Sequence, residues 1–340
     1  MPNVRTTSLS RRGLLAAGGA VGLGAVLAAC GDSDPAKESS GAAASGPWTF
    51  KDDRGLTAKA GSTPKNIVAF IGVAAALHDY GIECKGVFGP TKTADGKADV
   101  QAGDLDISKV EVLGNVWGEF NVEKYAGLAP ELLVTAMWEK DALWYVPDES
   151  KDKILKLAPS AALWAARTTV PKAIQRHEDL AASLGADVKA TKITEARTRF
   201  EAAAARLRAA AKSQPNIKVM VGSASQDLFY VSLAKTSADT LYFQELGVRF
   251  VEPEVNAAGF FEELSWENVD KYEADIIMMD NRSSALQPDA LTSKPTWARL
   301  PAVKAGQVVP RTTEPIYSYD KCAPILEDLA EAIEKAKKVS

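Results

Sequence analysis

Aromatic and arginine side chains of this 340-residue chain cluster in segments that follow its apolar runs. In open α/β sheets, segments at the carboxyl ends of strands form ligand crevices. Aromatic rings supply a large apolar area with a polar tip, and guanidinium groups supply fixed donors for anionic oxygens. The candidate residues are Trp117, Trp138, Trp144, Tyr145, Trp164, Arg167, Phe260, Arg282, Tyr317 and Tyr319. They predict a cleft for a bulky ligand with a mixed surface.

Catalytic and metal-binding patterns are missing from the sequence. It contains no Gly-x-Ser-x-Gly elbow, no Walker loop and no His-Glu-x-x-His. The two histidines, His78 and His177, are too few for a zinc or manganese site, and His78 is expected to pack against its helix. Adjacent acids such as Glu262 and Glu263 are typical of a solvated face. We therefore predict a binding protein with no metal site and no enzymatic activity.

The elements that must position these residues alternate between strands and helices. Apolar runs at 67–71 and 131–137 predict buried strands separated by helices, which favours a parallel α/β sheet. An amphipathic helix at 170–184 and an Ala-rich helix at 194–211 interrupt this order. The alternation resumes with a strand at 218–222. Two α/β lobes therefore flank a helical segment.

The N-terminus has the pattern of an export signal over residues 1–29. Arg11 and Arg12 precede an apolar stretch, which resembles a twin-arginine signal, and an ordinary Sec signal is the alternative. The stretch ends in Leu27-Ala28-Ala29-Cys30, which resembles a bacterial lipobox and predicts lipidation of Cys30 on the outer face of the cytoplasmic membrane. The alternative is a membrane-spanning helix with an incidental cysteine. Residues 30–46 have the composition of a flexible tether.

Charge and cysteine content limit the partners. The formal net charge is −4 with no basic run, which gives no support for nucleic-acid binding. Cys84 and Cys322 could pair in an exported protein, but a bridge would lock a cleft that moves, and the sequence leaves this open. We expect a monomer.

From Pro64 to Lys338 the chain resembles the cobalamin- and ferric-siderophore-binding class of ABC-importer binding proteins. Several short motifs in the family's order carry the resemblance. They are Pro64-Lys65-Asn66-Ile67-Val68, Asn121-Val122-Glu123, Leu128-Ala129-Pro130-Glu131-Leu132-Leu133-Val134, Leu157-Ala158-Pro159, Leu246-Gly247, Leu264-Ser265-Trp266-Glu267, Tyr272-Glu273-Ala274-Asp275-Ile276-Ile277, and Trp297 with Leu300-Pro301-Ala302-Val303-Lys304-Ala305-Gly306-Gln307-Val308.

The resemblance implies two Rossmann-like lobes bridged by a single long helix, with the ligand cleft between them. The predicted limits are 47–167 for the first lobe, 168–185 for the bridging helix and 186–340 for the second lobe. A stiff bridge predicts modest lobe closure on binding. The family also docks onto its permease through one glutamate on each lobe, which here would be Glu123 and Glu267. The implied partners are an ABC permease and its ATPase.

The resemblance implies a ferric siderophore as ligand, of hydroxamate or mixed type, with iron present only within the chelate and no cofactor. Some relatives carry an arginine before the Asn-x-Glu motif, but residues 115–119 contain no basic residue, which leaves room for a less charged ligand. A cobalamin- or haem-like macrocycle is the alternative ligand, with Tyr145 or Tyr317 as a candidate haem ligand. A ligand-sensing lipoprotein without coupled transport is the alternative role.

Overall fold

The computed structural model describes residues 46–255 and 259–340. The predicted signal at 1–29, Cys30 and almost all of the tether at 30–46 lie outside the described residues. Within the described part, no helix is both long enough and apolar enough to cross a membrane.

The first lobe is built on a five-stranded parallel sheet with the strand order β5-β4-β3-β6-β7. Its strands are β3 (Ile67–Phe70), β4 (Gly86–Phe88), β5 (Glu111–Val112), β6 (Leu132–Met137) and β7 (Ser160–Trp164). Its helices are α1 (Ile71–Asp79), α2 (Val122–Gly127) and α3 (Asp148–Leu157). Every residue of β3 and β6 is buried, as continuous apolar runs predict for central parallel strands.

A two-stranded antiparallel hairpin precedes this sheet, formed by β1 (Trp48–Lys51) and β2 (Thr57–Ala60). It packs on α4 (Val170–Ser183), where the indole Nε1 of Trp48 donates to Ser183 Oγ at 3.2 Å. Arg176 from the same helix bonds Asp53 at 2.6 Å and lies 5.0 Å from the ring centre of Phe50. The hairpin was not predicted, because its two strands are short and contain few apolar residues.

Two consecutive helices separate the sheets in sequence, α4 and α5 (Thr191–Ser213). The buried face of α4 includes Ile174, His177 and Leu180 and packs against α1 of the first lobe and against helix α6 (Ala238–Glu245) of the second. The predicted helices at 170–184 and 194–211 therefore both form, with slightly different ends.

The second lobe has a mixed six-stranded sheet with the order β11-β9-β8-β12-β13, and its sixth strand β10 pairs parallel to β8. Its strands are β8 (Lys218–Ala224), β9 (Leu228–Ser232), β10 (Arg249–Phe250), β11 (Phe261–Ser265), β12 (Ile276–Asp280) and β13 (Val308–Arg311). The other helices are α7 (Pro288–Leu291), α8 (Pro295–Arg299), α9 (Pro301–Lys304) and α10 (Tyr319–Lys335). Strands β9 and β11 are antiparallel to their neighbours, so this sheet is not purely parallel.

The C-terminal helix α10 packs along α5. The bidentate pairs Arg199–Glu327 and Arg206–Glu334 join their exposed sides. The helix α10 begins at Tyr319, where the Ser318 hydroxyl accepts from the Lys321 N–H and caps it. Cys84 and Cys322 are both buried and free, so no disulfide joins them.

Candidate functional site

Four aromatic side chains of the first lobe form one cluster beyond the carboxyl end of β6. Trp144 is central, with its ring centre 4.8 Å from that of Trp117, 5.8 Å from that of Trp138 and 5.8 Å from that of Tyr145. Trp117 also meets Tyr145 edge-on at 5.0 Å. Edge-to-face packing is one of the arrangements that aromatic pairs prefer. We call these four residues the aromatic cluster.

The second lobe contributes Phe260 to the same place. Its ring centre lies 6.2 Å from that of Trp138, and the guanidinium carbon of Arg167 lies 5.4 Å above it. Arg167 is exposed, and its backbone N–H donates to Thr236 O of the second lobe at 2.9 Å. The aromatic surface therefore crosses from one lobe to the other, as a cleft between lobes requires.

A group of charged and polar side chains lies beside the cluster. Arg282 donates from Nη2 and Nε to Asp280 at 2.7 and 3.0 Å, and from Nη1 to Glu314 at 2.7 Å. Gln101 of the first lobe donates from Nε2 to the other oxygen of Glu314 at 2.7 Å. We call Asp280, Arg282, Glu314 and Gln101 the polar set. It contains one guanidinium group and two carboxylates, so it presents no surplus of positive charge.

Burial and neighbouring charges shift the titration of these groups. Burial raises the pKa of Glu314, while Arg282 and Gln101 oppose that rise. The Arg282 guanidinium holds the pKa of Asp280 below its usual range despite the burial of that carboxyl. Burial, followed by the Glu314 carboxylate, raises the pKa of Tyr145 to about 12, so its phenol stays protonated and can donate to a ligand.

Three residues of this region have a left-handed backbone: Tyr145 with φ 58°, Arg167 with φ 54° and Glu314 with φ 63°. Side chains with a Cβ seldom adopt this conformation. The described part contains two other such residues, Ala129 and Asp141. Strained backbones of this kind concentrate at ligand sites, where the rest of the fold holds them in place.

The loop that carries Trp117 is tightly anchored although its tip is exposed. Asn115 accepts the backbone N–H groups of Thr91 and Lys92 at 3.0 and 2.8 Å. A Cβ on Gly114 would lie 2.1 Å from the carbonyl oxygen of Glu119, so the chain can make this turn only with glycine. The Trp117 side chain is 62% exposed and stands at the mouth of the cluster.

Comparison with known proteins then decides the family. Residues 78–312, more than half of the chain, match the family model described as periplasmic binding protein. The chain belongs to the periplasmic binding protein family. Members bind solutes and are not enzymes, which confirms the prediction of a binding protein.

Solved structures and curated relatives agree with this membership. The chain is 61% identical to DesE, a ferric-siderophore receptor protein from Streptomyces coelicolor, with a TM-score of 0.84 over 86% of this chain and 100% of that one. It is 24% identical over 258 residues, 76% of each chain, to the Fe(3+)-citrate-binding protein YfmC of Bacillus subtilis. SirA of Staphylococcus aureus, solved with staphyloferrin B, is 18% identical with a TM-score of 0.59. The match covers 85% of this chain and 99% of that one, and it supports the fold alone.

Not all predicted contact residues of this binding protein join the cluster. Tyr317 is buried, and its hydroxyl donates to Ala165 O at 3.1 Å. Tyr319 is the first residue of α10 and packs against Phe200 and the guanidinium of Arg197. The two tyrosines follow β13, as a cleft loop would, but Tyr317 is buried and Tyr319 is half-buried on α10. Trp164 ends β7 and is partly buried against the main core.

Asp280, Glu314 and Gln101 were not predicted. Asp280 ends β12 and Glu314 follows β13, so the rule that placed Arg282 at a strand's carboxyl end applies equally to them. Gln101 lies in a short 3₁₀ turn and carries no comparable signal.

The two predicted docking glutamates lie at the surface, one on each lobe. Glu123 is in the first turn of α2, which the Asn121 side chain caps by accepting from the Lys124 N–H at 2.9 Å. Glu267 lies in a 3₁₀ turn after β11, where its own N–H and the Ser265 hydroxyl lower its pKa. Both carboxylates are exposed, as docking requires.

Neither histidine contributes to a metal site. His78 bonds Glu83 at 2.9 Å, and His177 is buried with Nδ1 2.8 Å from the Ala173 carbonyl. In the described part, one acidic group has metal-like spacing, that of Asp79, Asp104 and Asp320. Lys321 lies 2.6 Å from Asp104 and 2.9 Å from Asp320, so an ammonium group already provides the positive charge there.

Proposed function

We propose that this protein captures a ferric siderophore, of hydroxamate or mixed type, and delivers it to the permease of an ABC importer. The observation that carries the proposal is the aromatic surface crossing from Trp144 and Tyr145 to Phe260 between the lobes. Its size suits a bulky chelate, because aromatic clefts bury large ligands with mixed surfaces. The 61% identity to a ferric-siderophore receptor protein supports the ligand class.

The charge of the site supports the chelate type. A ferric trihydroxamate centre is neutral, because three hydroxamate groups balance the iron, whereas a tricatecholate centre is triply anionic. The polar set gives its guanidinium two carboxylate partners, and the nearby Asp99 adds a third acid. Arg167 adds one guanidinium group beside the aromatic cluster. Such a site favours a chelate without net negative charge.

Transport coupling is supported by the exposed Glu123 and Glu267, one on each lobe. A carboxylate that pairs with a guanidinium on a partner gives orientation as well as affinity. The lipobox-like segment ending at Cys30 supports a lipid anchor on the outer face of the cytoplasmic membrane. The protein would then act as a monomer, with iron entering only as part of the bound chelate.

A titration of the purified full chain in mild detergent tests the ligand class through its tryptophan fluorescence. We expect saturable quenching by a ferric trihydroxamate and a much weaker response to its iron-free form. A response to haem or cobalamin alone would replace the siderophore by a macrocycle. Silence toward all of these ligands would reject the proposed ligand class.

Import assays with Glu123→Ala and Glu267→Ala test the coupling separately. We expect each variant to bind the chelate normally while the double variant loses iron uptake in cells. Glu201→Ala, on an exposed position of α5, is the matched control. Undiminished uptake by the double variant would reject docking through these glutamates and favour a sensing role.

A further inference from the structure

Arg282 is the basic residue of the polar set, but two carboxylates already occupy its guanidinium group. Nε and Nη2 point to Asp280, and Nη1 points to Glu314, at distances of 2.7 to 3.0 Å. The Asp280 and Glu314 side chains are 1% and 7% exposed, whereas that of Arg282 is 21% exposed. A ligand that reaches Arg282 therefore meets a positive group with its charge already compensated.

The polar set lies close enough to the aromatic cluster for its charge to act on a ligand there. Glu314, Arg282 and Asp99 all act electrostatically on Tyr145, whose ring touches Trp117 and Trp144. Charges act over longer distances in a partly buried site than in open water. Neutralising Arg282 thus changes the potential that a bound chelate experiences.

The backbone of Glu314 indicates that its side chain has more than a packing role. It is held at φ 63°, where glycine or asparagine would fit with less strain. The Glu314 carboxylate pairs with Arg282. It also accepts a hydrogen bond from Gln101 of the opposite lobe.

We propose that Asp280 and Glu314 set the charge selectivity of the cleft by neutralising Arg282, so that it accepts neutral or cationic ferric chelates and discriminates against anionic ones. This inference rests on the proposed function, because it assumes that the cleft binds ferric chelates. It assigns the choice among chelates to two acidic residues and not to the arginine itself.

Glu314→Gln is the central variant, because it removes the charge and keeps the size of the side chain. Gln101 has a buried Oε1 with no hydrogen-bond partner, so rotation of its amide would offer an acceptor to the new amide group. Asp280→Asn removes the other carboxylate from the same guanidinium and serves as a second variant if the first fails to fold. Glu201→Gln, exposed on α5 and outside both the polar set and the aromatic cluster, makes the same change in net charge.

The measurement is the ratio of dissociation constants for a ferric tricatecholate and a neutral ferric trihydroxamate, with the purified full chain. We expect Glu314→Gln and Asp280→Asn each to shift this ratio toward the tricatecholate by about tenfold, because each removes one negative charge beside Arg282. Glu201→Gln should leave it unchanged. Adding Arg282→Gln to Glu314→Gln should return the ratio toward the wild-type value.

The outcomes separate this inference from the proposed function. If both carboxylate variants bind the two chelates in the wild-type ratio, or lose both equally, the selectivity inference is wrong while siderophore binding stands. If the wild-type protein prefers the tricatecholate, the hydroxamate assignment and the discrimination against anionic chelates are both wrong, whatever shift the variants show. If neither the wild-type protein nor any variant binds either chelate, the selectivity inference and the proposed function are both rejected.

Discussion

Gln101 and Glu314 are joined by a buried hydrogen bond of 2.7 Å although 213 positions separate them in sequence. Gln101 belongs to the first lobe and Glu314 follows the last strand of the second, so this bond links the lobes next to the aromatic cluster. The link places the Glu314 carboxylate between a donor from one lobe and a guanidinium from the other.

Replacing Gln101 by Leu should lower the free energy of unfolding by about 1–3 kcal/mol, because one oxygen of Glu314 would remain buried without a donor. Urea denaturation measures this change. The control is Gln175→Leu, on an exposed position of α4, for which we expect a change within about 0.5 kcal/mol. Equal unfolding of the two variants would show that the link between lobes does not stabilise the fold.

Trp117→Ala should weaken chelate binding while leaving thermal stability nearly unchanged, because the ring is 62% exposed and stands at the mouth of the cluster. Trp297→Ala is the opposite case. That ring is 2% exposed in the core of the second lobe, so its loss should cost about 3–5 kcal/mol of stability. Thermal melts and fluorescence titrations of both variants test this. If Trp117→Ala binds the chelate with unchanged affinity, Trp117 does not contribute to the binding site.

Stability should fall on acidification through the titration of His177. Burial lowers its pKa to about 4, whereas an unfolded histidine titrates near 6.5. Between these values the unfolded chain binds the additional proton, so acidification favours unfolding by up to about 3 kcal/mol. Asp53 and Arg176 act on the same ring with opposite signs.

The variant His177→Phe should flatten this dependence, since phenylalanine does not titrate and can still pack beside Tyr317. Because the raised pKa values of Asp79 and Glu314 act in the opposite direction in acid, the quantity to compare is the difference in slope between variant and wild type. His78→Gln, at a surface hydrogen bond to Glu83, is the control. If the stability of His177→Phe depends on pH as steeply as that of the wild type, His177 is not the group whose protonation favours unfolding.

The buried pair of Arg311 and Asp239 should matter far more than the exposed bidentate pairs of α5. In the native pair the side chain of Arg311 is 3% exposed and that of Asp239 is 1% exposed. Asp239→Asn leaves the Arg311 charge buried without a partner charge and should cost about 3–5 kcal/mol of stability. Glu327→Gln breaks the exposed pair with Arg199 and should cost under about 1 kcal/mol. Chemical denaturation of both variants tests this, and equal losses would contradict it.

The central strands and main helices could be predicted from sequence because their residues show one clear pattern. The apolar runs at 67–71 and 131–137 correspond to β3 and β6, and the amphipathic stretch at 170–184 corresponds to α4. The hairpin of β1 and β2 was missed, since its short strands alternate buried and exposed positions for only four residues each.

The aromatic cluster could be predicted from loop position, but its polar partner could not. Trp117, Trp138, Trp144, Tyr145 and Phe260 come together as loops after strands often do. The same reasoning also selected Tyr317 and Tyr319, which the structure places outside the aromatic cluster, because position after a strand does not show that α10 begins there. The pairing of Gln101 with Glu314 depends on how two distant segments meet, which no local pattern records.

The most direct test is a crystal structure of the protein with a bound ferric trihydroxamate. We expect the chelate between the lobes, in contact with Trp144 and Tyr145 on one side and with Phe260 on the other. A chelate bound elsewhere, with the aromatic cluster free of ligand at saturating concentration, would contradict capture of a ferric siderophore in this cleft.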